Sequence, residues 1–335
     1  MVGLRLLLLA SAAARRLEDD ADFALYDRFL RSFRSSPAER RQLNSYSEER
    51  FGHFKATLRD IEQRRARDPG ASYDINQFSD LSEDEFLSQW TSGPGPWNET
   101  LARHKAEGFN AIDPQLLNRT HRLEMVRRLS GSHSTTIDWR FHMGGKVSRT
   151  KNQGGCGSCW AFAAIQQMES DHAIANGNIL TLSAQQITSC TYEPSRSGCN
   201  GGWPKDGIES AIRMGGIMLE ADYPYTGRSP PCAYDSEKAV TQPIAAWHTQ
   251  GPETPMIARI FTSPMTIAID AGAYKSYSGG IMGCNAGGRS INHAIQAVGY
   301  NGDENYWVVR NSWGASWGMG GYAMQVPRGV PSDTL

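Results

Sequence analysis

Cys156 and Cys159 lie three residues apart in QGGCGSCWAF, residues 153–162, directly before a tryptophan. A C-x-x-C pair is compatible with a zinc clip, a dithiol redox switch, or a structural disulfide beside a separate nucleophile. Zinc needs about four ligands, from a second C-x-x-C or a closely spaced histidine pair. Neither exists here, and the eight histidines are scattered from His53 to His293. A thioredoxin-like pair is the stronger rival, because such pairs also open a helix. In this chain, however, the tryptophan follows the cysteines and no βαβ pattern leads into them.

The run after Cys159, WAFAAIQQMESDHAIANG, is rich in helix formers. It places Phe162, Ile165, Met168 and Ile174 near one stripe and stops at Asn176-Gly177. Cys159 is thus predicted at a helix N-terminus, where unpaired N–H groups and the macrodipole bias a thiol toward thiolate. Cys156, one loop step earlier, is free to act as a staple.

A thiolate that attacks an acyl group needs a histidine as acid–base and a third group to hold the ring. His293 lies in SINHAIQAVGY, a buried-strand pattern followed by the turn NGDEN and a second such run, YWVVRNSWG. Antiparallel pairing about Gly302 sets Asn311 opposite His293, and a bulge or longer loop shifts that register by a residue or two. A core histidine beside a structural asparagine is the plain alternative.

QGGCGSCWAF resembles the active-site segment of the papain family of cysteine peptidases, which includes the lysosomal cathepsins. The resemblance implies Cys159 as nucleophile, His293 as its ion-pair partner, and Asn311 as acceptor of the ring's other N–H. It also implies Gln153 as the side chain that joins the Cys159 N–H in an oxyanion hole, and Trp313 as the indole shielding the Asn–His hydrogen bond. GCNGGWP, residues 198–204, resembles the wall of the substrate cleft, where Gly201 and Gly202 admit an extended substrate. Trp203, Pro204, Ala268, Ile291 and Ala294 occupy the matching positions of an apolar pocket for the residue before the one at the cut. The family pattern pairs Cys156 with Cys199 and Cys190 with Cys232. It would bridge Cys284 to a later cysteine that GYAMQVPRGVPSDTL does not contain, so Cys284 is expected as a free thiol. INHA and SWGMGGY lean toward the cathepsin H/L branch.

The upstream chain must position these groups. From Asp22 to about Arg67 two amphipathic helices are predicted, one with Phe23, Tyr26, Leu30 and Phe33, the other with Leu43, Tyr46, Phe54, Leu58 and Ile61, broken near Ser35 to Pro37. SYDINQFSDLSEDEF then gives one strand at Tyr73 and Ile75 and a short helix capped by Ser82 with Glu85 three residues on. Arg50, Phe54 and Ile61 keep the spacing of the inhibitory propeptide's long helix, and DINQFSD resembles its following stretch, with Asp74 where glycine is usual. The implied fold is α+β: a two-lobed papain-like peptidase, one lobe helical and one barrel-like, preceded by a helical inhibitory propeptide. The expected divisions are a signal peptide at 1–14, a propeptide at 15–92, an activation linker at 93–132 and a catalytic domain at 133–335.

Lys+Arg 34 against Asp+Glu 35 gives a net charge of -1, which marks neither nucleic acid nor an anionic membrane as a partner. MVGLRLLLLASAAARR reads as a secretory signal, too short to span a bilayer. Secretion makes disulfides permissible and exposes Asn98 and Asn118 as glycan acceptors. The combined reading is the zymogen of a cysteine endopeptidase of a lysosome- or vacuole-like compartment or the extracellular space. It needs no cofactor or metal, acts as a monomer on proteins or peptides with an apolar penultimate residue, and is inhibited by its own propeptide. A thiol-disulfide oxidoreductase and a catalytically silent papain-like binding protein remain open. The acidic DLSEDE is expected to hold the propeptide partly through carboxylates, so acid should release it.

Overall fold

In a computed structural model of the chain, the described residues are 20–34, 48–92, 136–192, 197–243, 253–283 and 291–327. The expected signal and linker segments, Leu43, Tyr46, Asn98, Asn118 and Cys284 lie outside them.

The N-terminal unit forms around aromatic rings. Helix α1, residues 20–33, and α2, Glu48–Arg67, meet through Tyr26, Phe29, Phe51 and Phe54, all buried. Tyr26 and Phe29 stand 5.0 and 5.2 Å from Phe54 between ring centroids. Glu48 and Glu49 in the first turn of α2 and Arg64, Arg65 and Arg67 in its last turn oppose the helix macrodipole favourably. Strand β1, Ala71–Tyr73, follows, then α3, Glu83–Trp90. Ser82 accepts from the Glu85 N–H while the Glu85 carboxylate accepts from the Ser82 N–H, closing a capping box.

The helical lobe is built on α4, Cys159–Asn176, which ends at Gly177 in the left-handed region at φ 84°. Its buried residues extend well beyond the expected stripe, from Cys159 through Ala173 and on several faces. It is therefore a central helix, packed by α5, Ala184–Cys190, and α6, Pro204–Met214, on one side and by the sheet on the other. Disulfides Cys156–Cys199 and Cys190–Cys232 tie this lobe together.

The sheet contains β1, β2 (Ile137–Asp138), β5 (Met265–Ile269), β6 (Tyr277–Met282), β7 (His293–Asn301), β8 (Tyr306–Arg310) and β9 (Tyr322–Gln325). Its order is β1-β6-β9-β8-β7-β2, with β5 also on β7, and only β6–β9 is parallel. A separate pair joins β3, Ile217–Met218, to β4, Ala239–Thr241. The strand from the N-terminal unit thus completes the sheet edge, with Ala71 opposite Gly280. All but the last residue of β7 is buried, its polar His293 and Gln296 included.

Buried polar groups join the lobes. Glu169 on α4 pairs with Lys151 at 2.8 Å and accepts from Ser148 and from the Leu182 N–H. Arg310 on β8 donates to the Ser148 carbonyl and to Gln296, both at 2.7 Å, and Gln296 donates to the Gln166 carbonyl. Glu169 is thus paired directly by Lys151, whereas the Arg310 guanidinium is held by neutral acceptors, its Nε has no hydrogen-bond partner, and burial pulls its pKa down.

Candidate active site

Cys159 is the first residue of α4 and has no exposed surface. The Ser92 hydroxyl lies 3.1 Å from its Sγ, and the backbone groups of Ala294, Trp160 and Ser92 around it favour the thiolate. Burial nevertheless pushes the thiol up, outweighing the Ser92 hydroxyl and those backbone groups. The expected thiolate bias of the helix terminus is therefore overridden in this state, because Ser92 and β7 close over the sulfur.

His293 opens β7, paired with Ile269 of β5, and its ring stacks on Trp313 at 4.7 Å. Nε2 is 2.9 Å from Asn311 Oδ1, while Nδ1 is buried with no hydrogen-bond partner. Burial pulls the imidazole down to about 4, with Asn311 acting the other way. Burial thus works against charge on both groups in this state, because no water replaces what it removes. A neutral ring that donates from Nε2 to Asn311 presents a bare Nδ1, the nitrogen able to accept the thiol proton.

The hairpin register differs from symmetry about Gly302. Gln296 pairs with Arg310 and Ala297 with Val309, then a bulge at Val298 shifts the pairing to Gly299 with Val308 and Asn301 with Tyr306. Extending the Gln296–Arg310 register sets position 313, not 311, across from position 293. Asn311 reaches His293 diagonally, and Trp313 supplies the stacked ring.

Gln153 is buried, and its Nε2 donates to the carbonyls of Trp90 at 3.1 Å and Cys156 at 2.9 Å. Its Oε1 accepts from the Ser312 hydroxyl at 2.6 Å, and the Ser312 N–H donates to Asn311 Oδ1 at 2.7 Å. Asn311, Ser312 and Trp313 thus touch Gln153, His293 and the N-terminal unit from one three-residue stretch.

Cys159, Ala163, Trp203 and Ala294 form one apolar cluster with Ala268 packed against it, and Ala268 faces Ala294 across β5 and β7. Pro204 is buried as the first residue of α6, and Ile291 is 36% exposed. Gly201 has φ +95°, which disfavours a side chain. A Cβ on Gly202 would lie 2.5 Å from the Trp160 indole, so packing inside the fold already demands glycine there. Cys156 is committed to Cys199, which leaves no C-x-x-C dithiol, and among the described residues Cys159 is the free cysteine. No group of metal-ligating side chains is assembled among the described residues.

The N-terminal unit lies in this cleft. The Trp90 carbonyl accepts from Gln153 and, at 3.1 Å, from the Trp313 indole, and the Ser92 N–H donates to the Asn292 carbonyl at 2.8 Å. Phe78 and Phe86 meet Trp313 edge-on at 5.1 and 5.3 Å. Asn76 donates to the Lys275 carbonyl, and Lys275 Nζ donates to the Leu81 carbonyl. Ser92, Trp90, Ser312 and Asn292 had no local sequence signal. Only the approach of separate segments reveals them.

Residues 133–331 match the profile of the papain family cysteine proteases. The chain belongs to the papain family. Residues 39–86 match the cathepsin propeptide inhibitor domain, so this family member is a cysteine protease zymogen with its propeptide packed on the protease fold. It is 34% identical over 278 residues to the viral cathepsin of Adoxophyes honmai nucleopolyhedrovirus, covering 82% of this chain and 78% of that protein. It is also 34% identical to pro-cathepsin H of Bos taurus, over 83% of this chain and 80% of that protein. Among solved structures it resembles the proform of the ragweed pollen cysteine protease Amb a 11, with TM-score 0.73 and 27% identity over 94% and 91% of the two chains. The digestive procathepsin L 3 of Tenebrio molitor superposes with TM-score 0.72 and 26% identity, over 92% of this chain and 94% of that one.

Proposed function

We propose that this papain-family zymogen yields an endopeptidase that cleaves through Cys159, His293 and Asn311, with Gln153 and the Cys159 N–H as oxyanion donors. The observation that carries this reading is the placement of the propeptide: Ser92 on the Cys159 sulfur and the Trp90 carbonyl on Gln153 Nε2. An inhibitor that covers the attacking atom and engages a donor meant for a developing oxyanion marks both.

Once the propeptide leaves, water reaches the pair and Cys159 can pass its proton to His293 Nδ1. The thiolate attacks the peptide carbonyl, and Gln153 and the Cys159 N–H hold the oxyanion. The C–N bond breaks as the imidazolium protonates the leaving amine, and water hydrolyses the thioester. Asn311 keeps the ring in the tautomer that presents Nδ1, and Trp313 covers that hydrogen bond. Trp203, Pro204, Ala268, Ile291 and Ala294 form an uncharged pocket for the penultimate side chain, with Gly201 and Gly202 as its wall.

The same reading divides the chain into a signal at 1–14, a propeptide at 15–92, a cleaved linker at 93–132 carrying glycans on Asn98 and Asn118, and a monomeric enzyme from 133 onward. Relatives that include a KDEL-tailed endopeptidase and pro-cathepsin H support a secretory or lysosome-type compartment. Titration of the processed protein with a thiol-specific peptidyl epoxide tests the site. One equivalent should silence hydrolysis and label Cys159 alone, whereas labelling elsewhere, or insulin reduction by the protein, would defeat the proposal.

A further inference from the structure

The residue before the nucleophile behaves unlike its counterparts. Serine at a helix N-cap ordinarily accepts from an N–H of the first turn, as Ser82 does from Glu85 and Ser183 from Gln186 in this protein. Ser158, the N-cap of α4, makes no such bond. Its hydroxyl lies 2.6 Å from the phenol oxygen of Tyr225, and that phenol donates to the Gln153 carbonyl at 2.8 Å. The directions follow from valence. A carbonyl only accepts, so Tyr225 must spend its single hydrogen on Gln153, and Ser158 must donate to Tyr225. The 3.5 Å approach of the Ser158 hydroxyl to the Cys156 carbonyl is too long to compete.

We propose that Tyr225 is a positioning residue for acyl transfer, its phenol fixing the Gln153 loop against the N-cap of α4 and so setting the separation of the two oxyanion donors. The inference rests on the role of Gln153 and the Cys159 N–H proposed above. Tyr225 is itself held from outside the site. Its ring meets Phe162 of α4 edge-on at 4.8 Å, and its N–H donates to Glu220 at 2.9 Å. Burial pushes the phenol up to about 12, so it keeps the hydrogen this arrangement needs. The far side of Gln153 is held by Ser312, through Oε1 and through the Gln153 N–H on the Ser312 carbonyl at 2.8 Å. Gln153 is thereby clamped between Tyr225 of the helical lobe and Ser312 of the other. The diverted serine side chain caps none of the first-turn N–H groups of α4, of which that of Ala161 bonds the Ser158 carbonyl instead.

Tyr225→Phe removes the hydroxyl and keeps the ring. Loss of one oxyanion donor costs about 10²–10³ in rate, and displacement by roughly 1 Å costs up to about 10². In the processed enzyme, kcat should therefore fall about 10- to 100-fold with KM little changed. Affinity for a peptide aldehyde, whose carbonyl adds the Cys159 thiol to form a hemithioacetal oxygen in the same hole, should fall by the same factor. Alkylation of Cys159 by iodoacetamide, which builds no oxyanion, should keep its rate, as should thermal unfolding its midpoint. An unchanged kcat overturns the proposal, and so does a parallel loss of alkylation rate and thermal stability, which would mark a purely structural residue. If Tyr225→Phe does not accumulate, Ser158→Ala carries the test with the same readouts, and an unchanged kcat there is equally fatal. Gln153→Ala serves as the reference. If it retains full kcat, the oxyanion reading and this inference fall together, whereas its loss beside a fully active Tyr225→Phe overturns the inference alone.

Discussion

His293 and Asn311 are joined side chain to side chain at 2.9 Å although the hairpin that carries them does not set them opposite each other. The turn is centred between positions 303 and 304, not on Gly302, and the bulge at Val298 takes back only one residue of that offset, so Asn311 reaches across a diagonal while Trp313 stacks on the ring. Two residues two positions apart therefore restrain one imidazole, from its edge and from its face.

Asn311→Ala should leave the Nε2–H buried without an acceptor, at a cost of about 1–3 kcal/mol. Realised at the transition state, this is roughly a 10- to 100-fold fall in kcat/KM. Steady-state kinetics on a fluorogenic peptide check it, and a variant within twofold of wild type would show that the hydrogen bond is only structural.

Propeptide removal should change the acid–base state of the site. In the zymogen, burial raises the Cys159 thiol and lowers His293 to about 4, so burial disfavours charge on both. Iodoacetamide should react slowly with Cys159 in the zymogen and with a rate that climbs only at alkaline pH. In the processed enzyme the rate should already be high in mildly acidic buffer. Coincident pH–rate profiles would contradict this.

Two neighbouring carboxylates should act on activation with opposite signs. Burial favours the protonated form of Glu85, but the Ser82 N–H and Arg50 outweigh it and hold its carboxyl below the ordinary 4.5. Its stabilising effect is therefore present above that value and is lost as pH falls through the lower, folded one. Desolvation raises the Glu83 carboxyl, with Lys275 only partly opposing, although the residue is exposed and solvent screens much of the effect, so its ionised form strains the docked state modestly and acid relieves that strain. Glu85→Gln, which also costs a cap worth about 0.5–2 kcal/mol, should let processing begin at higher pH. Glu83→Gln should delay it to lower pH. Gel analysis of zymogen held at stepped pH measures both, and shifts in the same direction would refute the assignment.

The pocket beside Cys159 should select by shape and apolarity. Substrates with Leu or Val at the penultimate position should exceed those with Arg or Glu, one methylene shifting discrimination by about 1–3 kcal/mol. Ala268→Glu should raise kcat/KM for Arg and depress it for Leu in a dipeptide panel. A wild-type enzyme that already prefers Arg would remove Ala268 and Ala294 from the pocket.

Local rules made much of this protein legible. Capping chemistry located α3 through Ser82 and Glu85, the glycine stop located the end of α4 at Gly177, and the aromatic spacing of Tyr26 and Phe54 located the helix pair. Cys159 was readable because its motif is contiguous, whereas His293 and Asn311 required a register, and a turn centred beyond Gly302 moved it. The charge state was not legible at all, since burial of Cys159 depends on Ser92, 67 residues away in sequence. Tyr225 escaped for the same reason: only the folded chain brings its hydroxyl to both Ser158 and Gln153.

β1, bonded along β6 with Ala71 opposite Gly280, makes the inhibitor a strand of the enzyme's own sheet. While the chain is intact that strand is tethered, and its effective concentration at the β6 edge is independent of how much protein surrounds it. A cut between residues 93 and 133 turns the same contact into an encounter between two molecules. Occupancy then follows mass action: in a crowded vesicle the severed strand rebinds, and after discharge into a larger volume it does not. Dilution thus becomes an activating signal in its own right.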